Sequence, residues 1–173
     1  MTCSEEIRLR HCALDDLKLL REWDRQPHLR ESIGDDDWNW AGELGRVVPW
    51  REMLIAEFSG RPIGFVQIID CREEESHYWG TDCPERSRAI DLWIGEPDQL
   101  RKGRGTEIMR QALARCFDDP DVPCVLIDPM LTNTAAHAFY QSLGFQSIGP
   151  RDFGNDHCMV FELTRDVWRQ HQS

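Results

Sequence analysis

A chain of 173 residues with 40% hydrophobic content is long enough for one domain, spanning 1–173, with a real core. Its 31 acidic against 20 basic side chains give a net charge of −11, which argues against nucleic acid as a partner, and no apolar run reaches the ~18 residues of a membrane span. Glu5, Glu6 and Arg8 near the start exclude a secretory signal; seven scattered cysteines without a Cys-x-x-Cys pair point to reduced thiols in a cytoplasm and to no metal site.

In chain order, Ile7 and Leu9 alternate with Arg8 and Arg10 and predict a short strand. Asp15 and Asp16 open a helix with Leu17, Leu20 and Trp23 on one side. From 26 to 50, Pro27, Gly34, the run Asp35-Asp36-Asp37, Trp38, Trp40 and Pro49 predict a helix and loops with exposed aromatics. Met53 to Phe58 is a strand, Ser59-Gly60-Arg61-Pro62 a turn, and Ile63 to Ile69 its antiparallel partner. The polar stretch Asp70 to Arg88 is a loop or long connection, and Arg88 to Ile94 a strand.

Thr106 to Phe117 carries Ile108, Met109, Ala112, Leu113, Cys116 and Phe117 at helical spacing. Asp118-Asp119-Pro120 ends that helix, and Val122 to Ile127 is a buried strand. Asn133 or Thr132 caps a short helix that Gly144 stops. Phe145 to Ile148 and Cys158 to Leu163 are the last strands. Hairpinned strands before a β-α-β crossover make a mixed sheet in an α+β layout.

The segment Gln99-Leu100-Arg101-Lys102-Gly103-Arg104-Gly105-Thr106 lies between a strand and a helix. That order aims backbone N–H groups and the positive end of a helix dipole at a phosphate. Gly103 and Gly105 allow close approach and positive φ; Arg101, Lys102 and Arg104 add charge. An ordinary tight turn is the other reading of the same residues. A P-loop is excluded because Gly105-Thr106 lacks the lysine, and a Rossmann fingerprint because Ile108 replaces the third glycine.

The Gly-x-Gly spacing resembles that of the GNAT superfamily of N-acetyltransferases, and a second segment strengthens the likeness. It runs from Asp128 through Asn133, Ala135, Phe139-Tyr140 and Leu143-Gly144-Phe145. The resemblance implies a GNAT fold whose strand before the glycine turn and the strand after it splay apart. It implies acetyl-CoA as co-substrate, held by Arg101, Lys102, Gly103, Arg104, Gly105 and Thr106, by the backbone of Trp93 or Ile94, and by Asn133 and Ala136. Asn133 as a plain helix cap and Phe139-Tyr140 as plain core are the alternatives. In the implied reaction an amine attacks the thioester, backbone N–H groups of Trp93 or Ile94 hold the developing oxyanion, and Tyr140 protonates the thiolate. Asp91, alone on an apolar strand, is the candidate base or ammonium anchor, with a salt-bridged or edge-exposed aspartate as the other reading. An ordinary aspartate is too acidic for direct work on an ammonium; burial or a relayed water would correct that.

From about Ile7 to Trp168 the chain is more closely similar to aminoglycoside 6′-N-acetyltransferases. Pro62-Ile63-Gly64-Phe65-Val66-Gln67, Ile90-Asp91, the glycine turn with its Leu100, Ile127-Asp128-Pro129, Asn133 and Tyr140 carry this likeness. It implies acceptor contacts at Gln67, Asp91 and Asp128. A polycationic substrate would suit an acidic cleft that adds Glu75, Asp152 or Asp156, with Trp79 beside it. Trp38, Trp40 and Trp79 either line a sugar site or anchor loops. Ser32-Ile33 stands where that family has paired tryptophans, and Glu73 to Asp82 aligns loosely. Other acceptors, namely a polyamine, a siderophore precursor or a peptide amine, and a non-catalytic acetyl-CoA-binding module remain alternatives. The expected oligomer is a monomer or homodimer.

Overall fold

The computed structural model describes residues 5–34 and 36–173; Asp35, read above within an acidic run, lies outside them. Seven strands, β1 (Ile7–His11), β2 (Arg51–Phe58), β3 (Arg61–Asp70), β4 (Arg88–Ile94), β5 (Cys124–Ile127), β6 (Gln146–Phe153) and β7 (Asp156–Thr164), form one sheet in the order β1-β2-β3-β4-β5-β7-β6. The helices are α1 (Leu17–Trp23), α2 (Pro27–Ile33), α3 (Trp40–Glu43), α4 (Arg104–Asp118), α5 (Thr134–Ser142) and α6 (Arg165–Gln172). The chain makes two compact units, one running to Ile68 and resuming from Asp91 to Ala112, the other made of Ile69–Ile90 and Leu113–Ser173.

In the first unit β1 lies antiparallel to β2, from Ile7↔Phe58 to His11↔Leu54. The turn into β3 is shorter than the four residues expected. Ser59 and Gly60 both take positive φ, and Arg61 already belongs to the strand. The core joins Leu20, Trp23, Leu29, Trp40, Leu44, Ile55, Phe65 and Trp93. The expected exposed aromatics of 26–50 are therefore corrected. Trp40 is only 3% exposed and Trp38 packs against this cluster, stacked on Trp40 at 5.3 Å. Burying indole area outweighs the polar composition around it, and Asp24 accepts from Trp40 Nε1 at 2.6 Å.

In the second unit β5 pairs in parallel with β4 at Arg88↔Val125 and Ala89↔Leu126. It pairs antiparallel with β7 from Cys124↔Thr164 to Ile127↔Phe161. Arg88 donates to Asp70 at 2.8 Å and Cys71 N–H to the Ser87 carbonyl at 3.1 Å, closing the base of the turn-rich 71–87 connection. β6 runs five residues past the predicted Ile148, to Phe153, with a bulge between Ser147 and Gly149. The helix α6 was not predicted; Thr164 caps it, and Arg165 donates to the carbonyls of Val122 at 2.9 Å and Phe117 at 3.1 Å.

Candidate active site

The first unit builds a turn suited to a diphosphate. After β4 the chain passes Pro97–Gln99, then Arg101 at φ +58 and Gly103 at φ +75, and enters the 15-residue α4 at Arg104. Left-handed residues just before a long helix gather backbone N–H groups into an anion-binding concavity. A Cβ on Gly103 would meet nothing within 4 Å, so the approach to this turn is open. The expectation of positive φ at Gly105 is corrected: the second left-handed residue is Arg101, and Gly105 lies inside α4. Arg61 holds the start of the turn through Asp98 at 2.8 Å and Glu96 at 2.7 Å. Arg101 and Lys102 are exposed and Thr106 is half-buried. Arg104 is engaged within the unit, its guanidinium 3.5 Å from the Phe58 ring and its Nε 3.3 Å from Gln99 Oε1.

The end of β4 resolves which backbone group lies on the edge away from β3. The Trp93 carbonyl lies against Gly64, 2.6 Å from where a Cβ would stand, so an alanine there would meet backbone. Gly95 N–H donates to the Ile63 carbonyl at 2.8 Å. A trans peptide sends its N–H and C=O to opposite sides. The Ile94 N–H therefore points away from Gly64, and the Ile94 carbonyl away from Ile63, where His28 Nε2 meets it at 2.8 Å. Of the two expected donors, Ile94 is the one on the edge away from β3.

On the same unit Gln67 Nε2 donates to Asp91 Oδ2 at 2.8 Å. Gln67 is only 8% exposed, and Asp91 is half-buried. Loss of hydration, the largest influence, pushes the Asp91 carboxyl above its ordinary range; the Gln67 bond pulls it down and the Asp36 carboxylate adds to the rise. Strand periodicity puts Asp91 and Trp93 on one face of β4, and Trp93 packs with Trp38 at 5.1 Å and Phe65 at 4.6 Å.

The second unit carries the other expected residues. Asp128 follows β5 and accepts from the Tyr78 hydroxyl at 2.5 Å. The Tyr78 ring stacks face to face on Phe153 at 4.4 Å and is 42% exposed. Trp79, expected against substrate, is 2% exposed and packs edge-on against Phe153 at 5.2 Å; the exposed ring here is Tyr78. Glu74 fixes this loop by accepting from Ser76 N at 2.7 Å, Ser76 Oγ at 2.8 Å and Tyr78 N at 3.0 Å. Burial alone would raise its pKa, but these bonds outweigh it and hold the carboxylate below its ordinary range. Glu75 is exposed.

Asp152 pairs with His157 Nδ1 at 2.6 Å, both exposed, and this bond raises the imidazole pKa. Asn133 Oδ1 accepts from Ala136 N at 3.2 Å as the cap of α5, so it serves as the helix cap that the sequence offered as one reading. Tyr140 is half-buried on α5, edge-on to Phe145 at 5.7 Å. The Cys12, Cys71, Cys124 and Cys158 thiols are pushed up to about 12 by burial, which makes them poor nucleophiles. Sequence reasoning missed His28 and Tyr78. His28 is a lone histidine in a helical stretch, and the only clue to Tyr78 was its place beside Trp79 in an acidic segment.

Residues 13–153 match the Acetyltransferase (GNAT) domain family. Aminoglycoside N(6′)-acetyltransferase type 1 of Klebsiella pneumoniae is 28% identical over 189 residues, covering 98% of this chain and 89% of that protein. Among solved structures, aminoglycoside acetyltransferase AAC(6′)-Ib in complex with coenzyme A superposes with a TM-score of 0.86 at 25% identity, covering 97% of this chain and 100% of that one. Its complex with coenzyme A and kanamycin gives 0.85 over the same coverage at 25% identity. No helix among the described residues is long and apolar enough to cross a membrane.

Proposed function

The chain belongs to the GNAT acetyltransferase family, and from that premise we propose that it moves the acetyl group of acetyl-CoA to the 6′-amine of aminoglycosides, conferring resistance to them. Residues 1–173 act as one catalytic domain in the cytoplasm. The observation that carries the reading is Asp91: a half-buried carboxylate with a raised pKa, held by Gln67, on the strand that leads into an open left-handed turn. The resemblance to enzymes whose names and ligands are aminoglycosides and coenzyme A supplies the acceptor class. The acidic balance of the chain suits a polycation.

The chemistry is direct attack. The acceptor is an ammonium until it loses a proton, and Asp91, its pKa raised by burial, takes that proton or passes it through water. The amine nitrogen then bonds to the thioester carbon, charge grows on the carbonyl oxygen, and the Ile94 N–H faces it. The C–S bond breaks, Tyr140 gives its proton to the leaving thiolate, and the proton that the nitrogen sheds as it becomes an amide returns through water to the Tyr140 phenolate. The exposed N–H groups and cations at Arg101, Lys102 and Gly103 hold the diphosphate, with Thr106 in the first turn of α4; Asn133 and Ala136 line the arm. Asp128, Glu75 and Asp152 anchor further ammonium groups of the acceptor.

The test is release of coenzyme A thiol with acetyl-CoA and kanamycin, beside spermidine and a basic peptide. Rapid release with kanamycin alone supports the reading. Release with spermidine or the peptide alone transfers the enzyme to another amine, and binding of acetyl-CoA without turnover makes it a binding module. Tyr140→Phe is expected to slow acetyl transfer while acceptor affinity stays close to wild type; an unchanged rate assigns the thiolate's proton to water.

A further inference from the structure

We propose that His28 is a positioning residue for acetyl transfer, holding the Ile94–Gly95 peptide so that the N–H of Ile94, in the peptide before it, meets the thioester. The inference rests on acetyl-transfer chemistry and is independent of which amine is the acceptor. A carbonyl oxygen only accepts, so at 2.8 Å from it the His28 Nε2 carries the hydrogen. The peptide between Ile94 and Gly95 is thereby held at both ends. His28 donates to its oxygen, and its N–H donates to the Ile63 carbonyl at 2.8 Å. Hydrogen bonds in such a chain polarise one another.

The preceding peptide is fixed by the close approach of the Trp93 carbonyl to Gly64. With both flanking peptides set, the φ and ψ of Ile94 are set, and its N–H projects on the same edge of β4 as the His28 contact. At this edge the partner of the Ile94 carbonyl is a side chain from α2. The segment is braced further by Trp23, whose Nε1 donates to Glu96 Oε1 at 2.9 Å and whose ring occupies the space a Gly95 side chain would need. Of these contacts, the one made directly to the Ile94 carbonyl by a side chain is that of His28. Without His28, the carbonyl turns to water and the Ile94 N–H loses its fixed aim.

His28→Leu removes the donor and keeps bulk; His28→Gln returns an amide N–H near the Nε2 position. The first readout needs no acceptor: calorimetric affinity for acetyl-CoA beside coenzyme A, which lacks the thioester carbonyl. His28→Leu is expected to weaken acetyl-CoA by about fivefold and leave coenzyme A within about twofold, and His28→Gln to restore acetyl-CoA. With any amine that wild type acetylates, kcat falls by about tenfold or more, while acceptor KM stays within about twofold. Equal weakening of both ligands, unchanged acetyl-CoA affinity, or failure of His28→Gln to rescue overturns the proposal. Should His28→Leu fail to fold, His28→Asn, one methylene short of the same reach, takes its place. Silence with kanamycin would sink the acceptor reading alone, because the comparison of the two ligands stands without it.

Discussion

Asp91 and Asp128 are both half-buried carboxylates that accept from a neutral side chain, yet their surroundings differ. The donor to Asp91 is an amide buried in β3, at 2.8 Å. The donor to Asp128 is the phenol of Tyr78, at 2.5 Å, on a connection whose ring is open to solvent. One donor is buried in the strand; the other is open to solvent. Burial raises the Asp91 pKa, which suits a group that handles a proton. The Tyr78–Asp128 pair, on a loop fixed by Glu74, suits a group that anchors a cation. The difference teaches that matching residue types, two aspartates each after an apolar run, take different work from their local packing.

The largest expected break in this comparison comes from Asp91→Asn. It should lower kcat at least tenfold and leave acetyl-CoA affinity close to wild type, as steady-state kinetics and calorimetry would read; near-normal turnover removes Asp91 from the chemistry. The same variant should be more stable than wild type at neutral pH. A carboxyl whose folded pKa is raised favours its neutral form in the fold, so wild type loses stability as pH rises through that value. Asparagine imitates the neutral form, so the gain in melting temperature should shrink as pH falls through that raised value and vanish below the ordinary carboxylate range. Asp128→Asn should act on binding: acceptor KM up about tenfold, the worth of one charged contact, with kcat little changed. If both variants lose kcat alike, the proposed division of labour is wrong.

Much of this was legible before the coordinates. The stripe of Ile108, Met109, Ala112, Leu113, Cys116 and Phe117 gave α4 because helical periodicity survives translation along the axis. Asp91 stood out because a charge on an otherwise apolar strand needs a reason. The glycine spacing located the turn, though the residue sharing left-handed φ with Gly103 is Arg101 and no propensity argument singles it out. Contacts that close over long sequence separations were not legible. His28 meets a carbonyl 66 positions away, and Tyr78 meets Asp128 50 positions away; neither leaves a local pattern. The burial of Trp40 was hidden by polar neighbours, and α6 by its charged residues, since its sequence Arg165–Gln172 holds little beyond Val167 and Trp168 to mark an apolar face.

A smaller effect sharpens the second half of the comparison. Tyr78→Phe keeps the ring that stacks on Phe153 and removes only the hydroxyl bonded to Asp128. Acceptor KM should rise about threefold, near the net worth of one hydrogen bond, with kcat and melting temperature held. A fall in kcat instead would mean that Asp128 works on the reacting amine.

The finest test concerns the donor buried in the strand. Gln67 favours the ionised form of Asp91, so it works against the burial that raises the pKa. Gln67→Leu removes that restraint while filling the space, and the carboxyl should move further up. If Asp91 accepts the acceptor's proton, it must be ionised to act, and the acid limb of kcat against pH reports where it ionises. That limb should shift to higher pH, because the ionised carboxylate loses the hydrogen bond that favours it. The plateau above it should stay near wild type, since the variant leaves the carboxylate itself in place. A limb that stays put, with KM raised instead, would make Asp91 an anchor like Asp128, and the contrast between the two carboxylates would reduce to one of burial.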